Sequence, residues 1–469
     1  MPDTSQPTRN EAGIATVCGI LAQRFGERFS TGTDIRRQHA HTTTWIENQP
    51  PDGVVFASST EEVSDIVRIA SDHGVPIIPF GTGTSLEGHV NAPFGGISVD
   101  VSRMTEILEV HAEDLDCVVQ PGVTRKMLNA YLRDTGLFFP IDPGADASLG
   151  GMAATRASGT NAVRYGTMRD NVLGLQAVLA DGRIIRTGTR ARKSSAGYDL
   201  TRLLVGSEGT LGIITELTLR LQGIPEKIAA ARCSFPTVKD ACDTVIATLQ
   251  MGVPMARIEL MDADSVAAVN AYSNLSLPEN PLLLLEFHGS EASVAQDVEN
   301  FNDIASESGG YGFEATTGTE ERNKLWQARH DAYWATLASR PGWDSHSTDI
   351  CVPISRLSDM VTATAEKARS FGIHAPILGH AGDGNFHALL LMDPEKPDQT
   401  ALAKELVNWM ADTALAMGGT STGEHGVGQG KRAHFAQEAG PSLAVMQAIK
   451  TSLDPQGILN PGKILSSPG

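Results

Sequence analysis

The residues best suited to chemistry lie in two glycine-rich stretches of the C-terminal half. His380-Ala-Gly-Asp-Gly-Asn-Phe-His387 supplies two imidazoles, and Gly423-Glu424-His425-Gly426 adds a carboxylate and a third imidazole. Imidazole and carboxylate together suit a borderline divalent cation such as zinc or manganese. Glycines let the backbone approach a ligand closely. We therefore expect a metal site if the two stretches meet in space; the alternative is a set of unrelated loop residues.

The first of these stretches does not fit a helix. Gly382 and Gly384 between the two histidines would interrupt one, so the helical zinc-binding pattern is excluded. We predict instead a loop that carries His380 into a strand from Phe386 to Met392, with His387 near the mouth of that loop.

Several loops of small residues precede these stretches. A predicted strand, Val75 to Phe80, runs into Gly81-Thr82-Gly83-Thr84-Ser85, whose amides and hydroxyls could hold a pyrophosphate. The loop matches neither the Walker pattern nor the GxGxxG pattern. Three similar loops follow at Asp142–Gly151, Ala157–Gly166 and Gly206–Ile214. A large planar cofactor needs backbone within reach; the alternative is a glycine-rich β-domain with tight turns.

Periodicity places these loops between short strands and helices. The predicted elements of the first half are a helix Glu61–His73, a helix Arg125–Asp134 capped by Thr124, a hairpin at Asp181-Gly182 and a strand Ile213–Leu221. After a boundary near Gly223-Ile224-Pro225, strands at Arg257–Met261 and Leu282–Phe287 alternate with helices. Long helices are predicted at about 320–339, 355–370 and 399–417. This alternation is typical of an α+β domain with an antiparallel sheet.

Composition limits the function classes. A chain of 469 residues predicts two or three domains. The net charge of −18 disfavours nucleic acid and anionic membranes as partners. Five cysteines without CxxC spacing indicate reduced thiols, not disulfides or an iron–sulfur cluster. No apolar run reaches the ~18 residues of a membrane span. The polar amino terminus predicts a cytoplasmic protein, with peripheral membrane association left open.

The loops together resemble the FAD domain of the vanillyl-alcohol oxidase / p-cresol methylhydroxylase superfamily. The stretches that resemble its D-lactate dehydrogenase (cytochrome) branch are Ile141–Asp170, Gly206–Thr215, His380–His387, Gly423–Arg432 and Leu453–Ile464. The resemblance implies an α+β fold, with a two-lobed FAD-binding domain and a cap of antiparallel sheet and helices. The implied domains are an N-terminal helical arm (1–43), the FAD-binding domain (44–224), the cap with the metal site (225–425) and a C-terminal segment returning to the FAD domain (426–469).

The resemblance also implies which residues bind FAD. They are Pro79, Gly81, Thr82, Gly83, Thr84, Ser85, Pro143, Gly144, Ser148, Gly150, Gly151, Ser158, Gly159, Asn161, Tyr165, Gly166, Glu208, Gly209, Gly212, Ile213, Ile214 and Asn460. Many members of the superfamily attach the flavin through a His in or beside the phosphate loop. Here Pro79 to Ser85 contains none, and His89 lies just after it. We expect FAD to be held without a covalent bond.

The implied activity is oxidation of D-lactate, or a similar D-2-hydroxy acid, to the 2-keto acid. A divalent metal (zinc or manganese) on His380, His387 and Glu424 would bind the substrate oxygens, and His425 would be the general base. Hydride would pass to flavin N5. Arg329 matches the position at which sister enzymes hold the substrate carboxylate; its alternative role is a solvated helix face near Asp331.

Substrate, partners and reaction class leave alternatives open. A Thr and a Lys of the hydroxyglutarate branch fall here on Tyr333 and about Ser347, which favours a monocarboxylic substrate over D-2-hydroxyglutarate; glycolate is a further alternative. The remoter alternatives are a metallohydrolase and an inactive flavin-binding subunit. No haem or iron–sulfur motif occurs, so electrons must leave for an external acceptor: cytochrome c, a quinone or an electron-transferring flavoprotein. Homodimerisation is left open.

Overall fold

The computed structural model describes residues 9–465 and divides the chain into two compact units. The terminal unit takes the described parts of Met1–Ser158, Gly166–Ile224 and Glu424–Gly469. The central unit takes Gly159–Tyr165 and Pro225–Gly423. The outermost residues of the predicted N-terminal arm (1–8) and C-terminal segment (466–469) lie outside the described residues.

The terminal unit contains two main sheets. The first orders its strands as Phe29–Ser30, Gly53–Phe56, Ile97–Asp100 and Ile77–Phe80, with the last three parallel. The second is antiparallel in the order Ile107–His111, Asp116–Val119, Ile213–Arg220, Val172–Val178 and Ile184–Gly188. Leu137–Phe138 and Gln222–Gly223 form a small separate pair. The hairpin predicted at Asp181-Gly182 joins the last two strands of the second sheet, which confirms it.

The terminal unit also contains nine α-helices within the described residues. They span Glu11–Phe25, Thr33–Gln38, Thr60–Asp72, Arg125–Leu132, Leu149–Thr155, Met168–Asn171, Leu200–Leu204, Arg432–Ala439 and Ser442–Leu453. The helix Thr60–Asp72 begins where the Ser59 side chain accepts a hydrogen bond from the Glu62 amide, and its apolar residues Val63, Ile66, Val67 and Ala70 are buried. Thr124 caps the next predicted helix in the same way, as expected. The N-terminal helix also packs into this core through Val17 and Leu21.

The central unit is built on one eight-stranded sheet. Seven strands follow in the antiparallel order Tyr311–Thr316, Lys227–Ser234, Leu282–Gly289, Met255–Met261, Ile377–His380, Asn385–Met392 and Asp344–Ser347, and Ile350–Cys351 also pairs with Asn385–Met392. Its helices are Ala162–Tyr165, Val238–Gln250, Ala263–Ser273, Glu291–Glu307, Thr319–Ser339, Leu357–Ser370 and Pro397–Ala416. The antiparallel sheet and the three long helices predicted from the sequence are confirmed.

The prediction for the region around His380 is wrong in one respect. His380 ends a strand instead of lying on a loop, and a tight turn of residues 381–384 leads into the next strand. The sequence suggested a loop because Gly382 and Gly384 are poor strand residues, but they form the turn, where Gly384 has a φ of +76°. His387 therefore lies inside the second strand, in which every residue is buried.

Two further observations concern the whole described chain. All five cysteines are free thiols, as their spacing predicted. None of the described helices is both long and apolar enough to cross a membrane.

Candidate active site

The loop after the strand Ile77–Phe80 packs against a second predicted loop of the terminal unit. The amide of Ser148 donates to Thr82 Oγ1 at 3.3 Å. A Cβ atom added to Gly81 would lie only 2.4 Å from Ser148 Oγ, so a larger residue at position 81 would force the Ser148 hydroxyl to move. Two of the stretches predicted to bind the cofactor are thus in contact.

A third predicted loop joins them in the same unit. The amides of Gly206 and Glu208 donate to the carbonyls of Ala153 and Ala154 at the end of the helix Leu149–Thr155. Gly209 has a φ of +73°, and a Cβ there would lie 2.7 Å from the Pro79 ring. The remaining predicted residues of this loop, Gly212, Ile213 and Ile214, lead into the strand Ile213–Arg220 and are buried.

Asn460 lies against this third loop. Its Nδ2 donates to the carbonyls of Glu208 at 2.7 Å and His89 at 3.2 Å, and its Oδ1 accepts from Lys463 Nζ at 3.3 Å. The Asn460 side chain is therefore engaged in holding the loops, and its amide donates to the Ile77 carbonyl at 2.8 Å. Burial lowers the pKa of Lys463 to about 7.

The three packed loops of the terminal unit, Gly81–Ser85, Asp142–Gly151 and Gly206–Ile214, are called the cradle below. Two of its hydroxyl groups are candidates for ligand contacts. Ser85 Oγ and Ser148 Oγ are buried, and neither has a hydrogen-bond partner among the described residues. A buried hydroxyl without a partner costs about 1–3 kcal/mol, so such groups are uncommon in the absence of a ligand role. Around Gly144 an added Cβ would meet no atom within 4 Å. Small residues, positive-φ glycines and unused hydroxyls together fit a phosphate-bearing cofactor.

The fourth predicted loop is anchored on the sheet of the central unit. Arg257 Nε donates to Asn161 Oδ1 at 2.9 Å. The Tyr165 hydroxyl lies 2.7 Å from His288 Nδ1, and His288 Nε2 lies 2.7 Å from Glu286 Oε1. Burial favours a raised pKa for Glu286, but the bond to His288 and the charge of Arg257 lower it below its usual value. His288 is therefore placed to donate a hydrogen bond to the Glu286 carboxylate and to accept one from the Tyr165 hydroxyl. The roles of Arg257, Glu286 and His288 were not predicted from the sequence.

Glu208 has a different role from the one expected. Its carboxylate accepts from the amides of Val427 and Gly428 at 2.7 and 2.8 Å, and His89 Nε2 lies 3.2 Å away. Burial alone would raise the pKa of Glu208, but His89 and the two amides hold it below its usual value. The side chain thus fixes the loop that follows His425, while the Glu208 amide and carbonyl are engaged by Ala154 and Asn460.

A second acid, Glu87, also supports that loop. Its Oε1 lies 3.9 Å from His425 Nδ1 and 3.5 Å from Lys431 Nζ. Its carbonyl accepts from the Gln429 amide at 2.7 Å. His425, the predicted base, lies half-buried beside this carboxylate. Glu87 has no feature in the sequence that would have singled it out.

The two predicted imidazole ligands of the central unit lie side by side. The rings of His380 and His387 are 5.6 Å apart, and each offers a nitrogen within 4.8 Å of the other's. His380 Nδ1 lies 2.7 Å from Glu259 Oε1, and His387 Nδ1 lies 2.8 Å from the Thr348 carbonyl. Each Nδ1 is thus the ring nitrogen that faces an acceptor, and Nε2 is the nitrogen on the opposite side of the ring. Metal-binding histidines are held in this way.

Arg329 is bound to the same carboxylate as His380. Its Nη2 and Nε donate to Glu259 Oε2 at 2.8 and 2.9 Å. The arginine side chain is 12% exposed, so the alternative of a solvated helix face is wrong; Asp331 instead accepts from Gln327. Burial would raise the pKa of Glu259, but His380 and Arg329 lower it. The sequence analysis missed Glu259, which is one more acid in a strand.

Comparison with known proteins places this geometry in a family. A profile described as "FAD linked oxidases, C-terminal domain" matches residues 224–464, and one described as "FAD binding domain" matches residues 51–188. "Probable D-lactate dehydrogenase, mitochondrial" of Danio rerio is 52% identical over 443 residues, 94% of this chain and 89% of the relative. The chain belongs to the FAD-linked oxidases. FAD is therefore its cofactor, and the cradle of the terminal unit has the features to hold it.

A second relative is similar to this FAD-linked oxidase in sequence, and a solved structure is similar to it in fold. "D-lactate dehydrogenase [cytochrome], mitochondrial" of Arabidopsis thaliana is 47% identical over 416 residues, 88% of this chain and 73% of the relative. The crystal structure of p-cresol methylhydroxylase with substrate bound superimposes with a TM-score of 0.81 at 17% identity, covering 97% of this chain and 98% of that one. The predicted α+β class and p-cresol methylhydroxylase-type FAD fold are thereby confirmed.

Proposed function

We propose that this FAD-linked oxidase oxidises D-lactate, or a closely similar D-2-hydroxy acid, to the 2-keto acid. The observation that carries the proposal is the cluster on the central sheet, where Glu259 binds both Arg329 and His380 and the imidazole of His387 lies beside that of His380. A cation beside ligand-ready imidazoles suits a substrate with adjacent carboxylate and hydroxyl groups. The names of the relatives from Danio rerio and Arabidopsis thaliana support the same substrate.

Arg329 would bind the substrate carboxylate. Its hydrogen bonds within the described residues use Nε and Nη2, so Nη1 is left to donate to substrate. His425 would accept the hydroxyl proton, since a neutral imidazole is a suitable base near pH 7. FAD, when bound, supplies the acceptor for the hydride that leaves the same carbon. Electrons would then pass to an external acceptor such as cytochrome c, a quinone or an electron-transferring flavoprotein.

A divalent metal on His380, His387 and Glu424 completes the proposal. Gly423 lies against Asn385 and Asp349 of the central unit, because a Cβ there would be 2.0 Å from Asn385 Nδ2. Glu424 is the next residue, so its Cα is within about 3.8 Å of that of Gly423. Zinc or manganese, when bound, would supply a Lewis acid that lowers the pKa of the substrate hydroxyl. Removing the metal by dialysis against a chelator should abolish turnover, and zinc or manganese should restore it.

We also propose that FAD is bound without a covalent link. The phosphate loop contains no histidine, and His89 just beyond it is buried with Nε2 3.2 Å from Glu208. Acid precipitation should leave the yellow colour in the supernatant. Colour that stays with the precipitated protein would overturn this part of the proposal.

The substrate is best tested by anaerobic mixing of the oxidised enzyme with D-lactate, L-lactate, D-2-hydroxyglutarate and glycolate. Fast bleaching of the visible flavin band by D-lactate is expected. The Tyr333 hydroxyl, at the position matched to a threonine of the hydroxyglutarate branch, lies 3.4 Å from Ser345 Oγ, so two neutral hydroxyl groups face each other there. Faster bleaching by D-2-hydroxyglutarate or glycolate would favour those dehydrogenases, and reduction by L-lactate alone would overturn the stereochemistry.

A further inference from the structure

We propose that Glu259 couples the metal site to the carboxylate-binding arginine, so that a change at Arg329 alters the affinity for the metal. The inference rests on the proposed function and adds a positioning residue to it. One carboxylate divides its two oxygens between the two groups: Oε1 faces His380 Nδ1 at 2.7 Å, and Oε2 faces Arg329 Nη2 at 2.8 Å.

The position of Glu259 follows from the strand pairing. Glu259 is directly opposite His380 in the antiparallel pair Met255–Met261 and Ile377–His380. Opposite residues of such a pair share one face of the sheet. Glu259 is fully buried, with 0% of its surface exposed. A buried carboxylate needs partners for both oxygens, and within the described residues His380 and Arg329 are the partners it has.

Replacing Glu259 by glutamine should weaken metal binding. The amide offers one acceptor oxygen, while its NH2 group must face either the Arg329 guanidinium or the His380 N–H, and both are donors. His380 would lose the anionic acceptor that fixes its tautomer and raises its basicity. Loss of such a partner lowers metal affinity by about 10- to 100-fold.

Replacing Arg329 by methionine should have the opposite effect. The substitution removes a cation near the metal and leaves Glu259 with His380 as its one remaining partner. A buried carboxylate that has lost one cationic partner favours the binding of a different cation nearby. We therefore expect metal affinity to rise several-fold in Arg329→Met. The rise should be smaller when Glu259 is already Gln, because part of it acts through the carboxylate, so the two effects will not add.

The test is zinc affinity, measured on the FAD-loaded enzyme by competition with a chromophoric chelator. The variants are Glu259→Gln, Arg329→Met and the double variant, with His380→Ala to identify the site. Glu314→Gln is the matched control for the acid: it lies on the edge strand of the same sheet, pairs with Arg232 and is 67% exposed. Lys324→Met is the control for the cation, because it lies on the helix of Arg329 and is 69% exposed. FAD content and thermal midpoint report whether each variant has folded.

The outcomes separate this inference from the proposed function. A 10- to 100-fold loss in Glu259→Gln, a gain in Arg329→Met and wild-type affinity in both controls would support the coupling. Wild-type affinity in both site variants, with zinc binding lost in His380→Ala, would overturn the coupling and leave the metal proposal intact. Zinc binding unchanged in His380→Ala would overturn both. Should Glu259→Gln not fold, the sign of the Arg329→Met effect decides: unchanged or lower affinity refutes the coupling.

Discussion

Replacing Glu208 by glutamine should loosen the loop that carries His425. The carboxylate accepts from the amides of Val427 and Gly428 at 2.7 and 2.8 Å. Glutamine keeps one acceptor, so one buried amide loses its partner at a cost of about 1–3 kcal/mol. The bond that remains loses its charge assistance, which removes about 1 kcal/mol more. We expect the free energy of unfolding of the terminal unit to fall by about 2–4 kcal/mol.

The effect on catalysis should be larger than the effect on stability suggests. His425 is two residues from Val427, and a catalytic group displaced by about 1 Å loses on the order of 100-fold in rate. The assay is kcat with D-lactate at full FAD occupancy, together with urea unfolding. Glu216→Gln is the control, because its partner Arg186 is 66% exposed and the pair should contribute less than about 1 kcal/mol. Wild-type kcat and wild-type stability in Glu208→Gln would refute the positioning role of this carboxylate.

Three further predictions concern other sites. Ser148→Ala should weaken FAD binding, measured by fluorescence of released FAD, yet leave the FAD-free protein as stable as before or more so, since Ser148 Oγ lacks a hydrogen-bond partner among the described residues. His288→Phe should lower FAD affinity about tenfold by leaving Tyr165 and Glu286 without their shared imidazole, whereas Tyr272→Phe, at an exposed site, should not. Burial raises the pKa of Asp262 from 3.8 to about 6, so the folded state binds the carboxyl proton more tightly than the unfolded state does. The free energy of unfolding therefore falls as pH rises from about 3.8 to about 6. Asp262→Asn should therefore stabilise the protein by up to ~3 kcal/mol at pH 7.5 and by little below pH ~4, as judged by unfolding at both values; equal effects at both would contradict this.

The elements with strong periodicity were predictable from the sequence. The helix Thr60–Asp72 and the strand Ile213–Arg220 lie within a residue or two of their predicted bounds. The turn after His380 was not, because two glycines in four residues suggest a loop equally well when the pairing partner is unknown. The strand Met255–Met261, which fixes His380 through Glu259, is over a hundred residues away. Local pattern carries no information about that pairing.

The same limit explains which site residues were found. Gly81 and His387 could be recognised as candidates because a glycine after a strand and a histidine near glycines are informative residue types, and residue type can be read from the sequence. Glu259 and Glu286 do not stand out, since each lies in a strand where a half-exposed acid is equally common. What distinguishes them is burial, and burial depends on the rest of the sheet.

Buried acids are nevertheless informative once the fold is known. Burial destabilises a carboxylate by several kcal/mol unless cations and N–H groups surround it. A buried acid therefore indicates a place where the fold holds such partners. In the central unit Glu259 orders an imidazole and a guanidinium, and in the terminal unit Glu208 orders the backbone beyond His425. Each acid touches a predicted functional residue or its loop, and neither has an exposed carboxylate to bind substrate itself. The buried charge of these two acids holds the imidazole and guanidinium of the central unit and the backbone beyond His425 in place, which is why we expect neutral replacement of Glu259 to weaken metal binding and neutral replacement of Glu208 to slow turnover as well as to weaken folding.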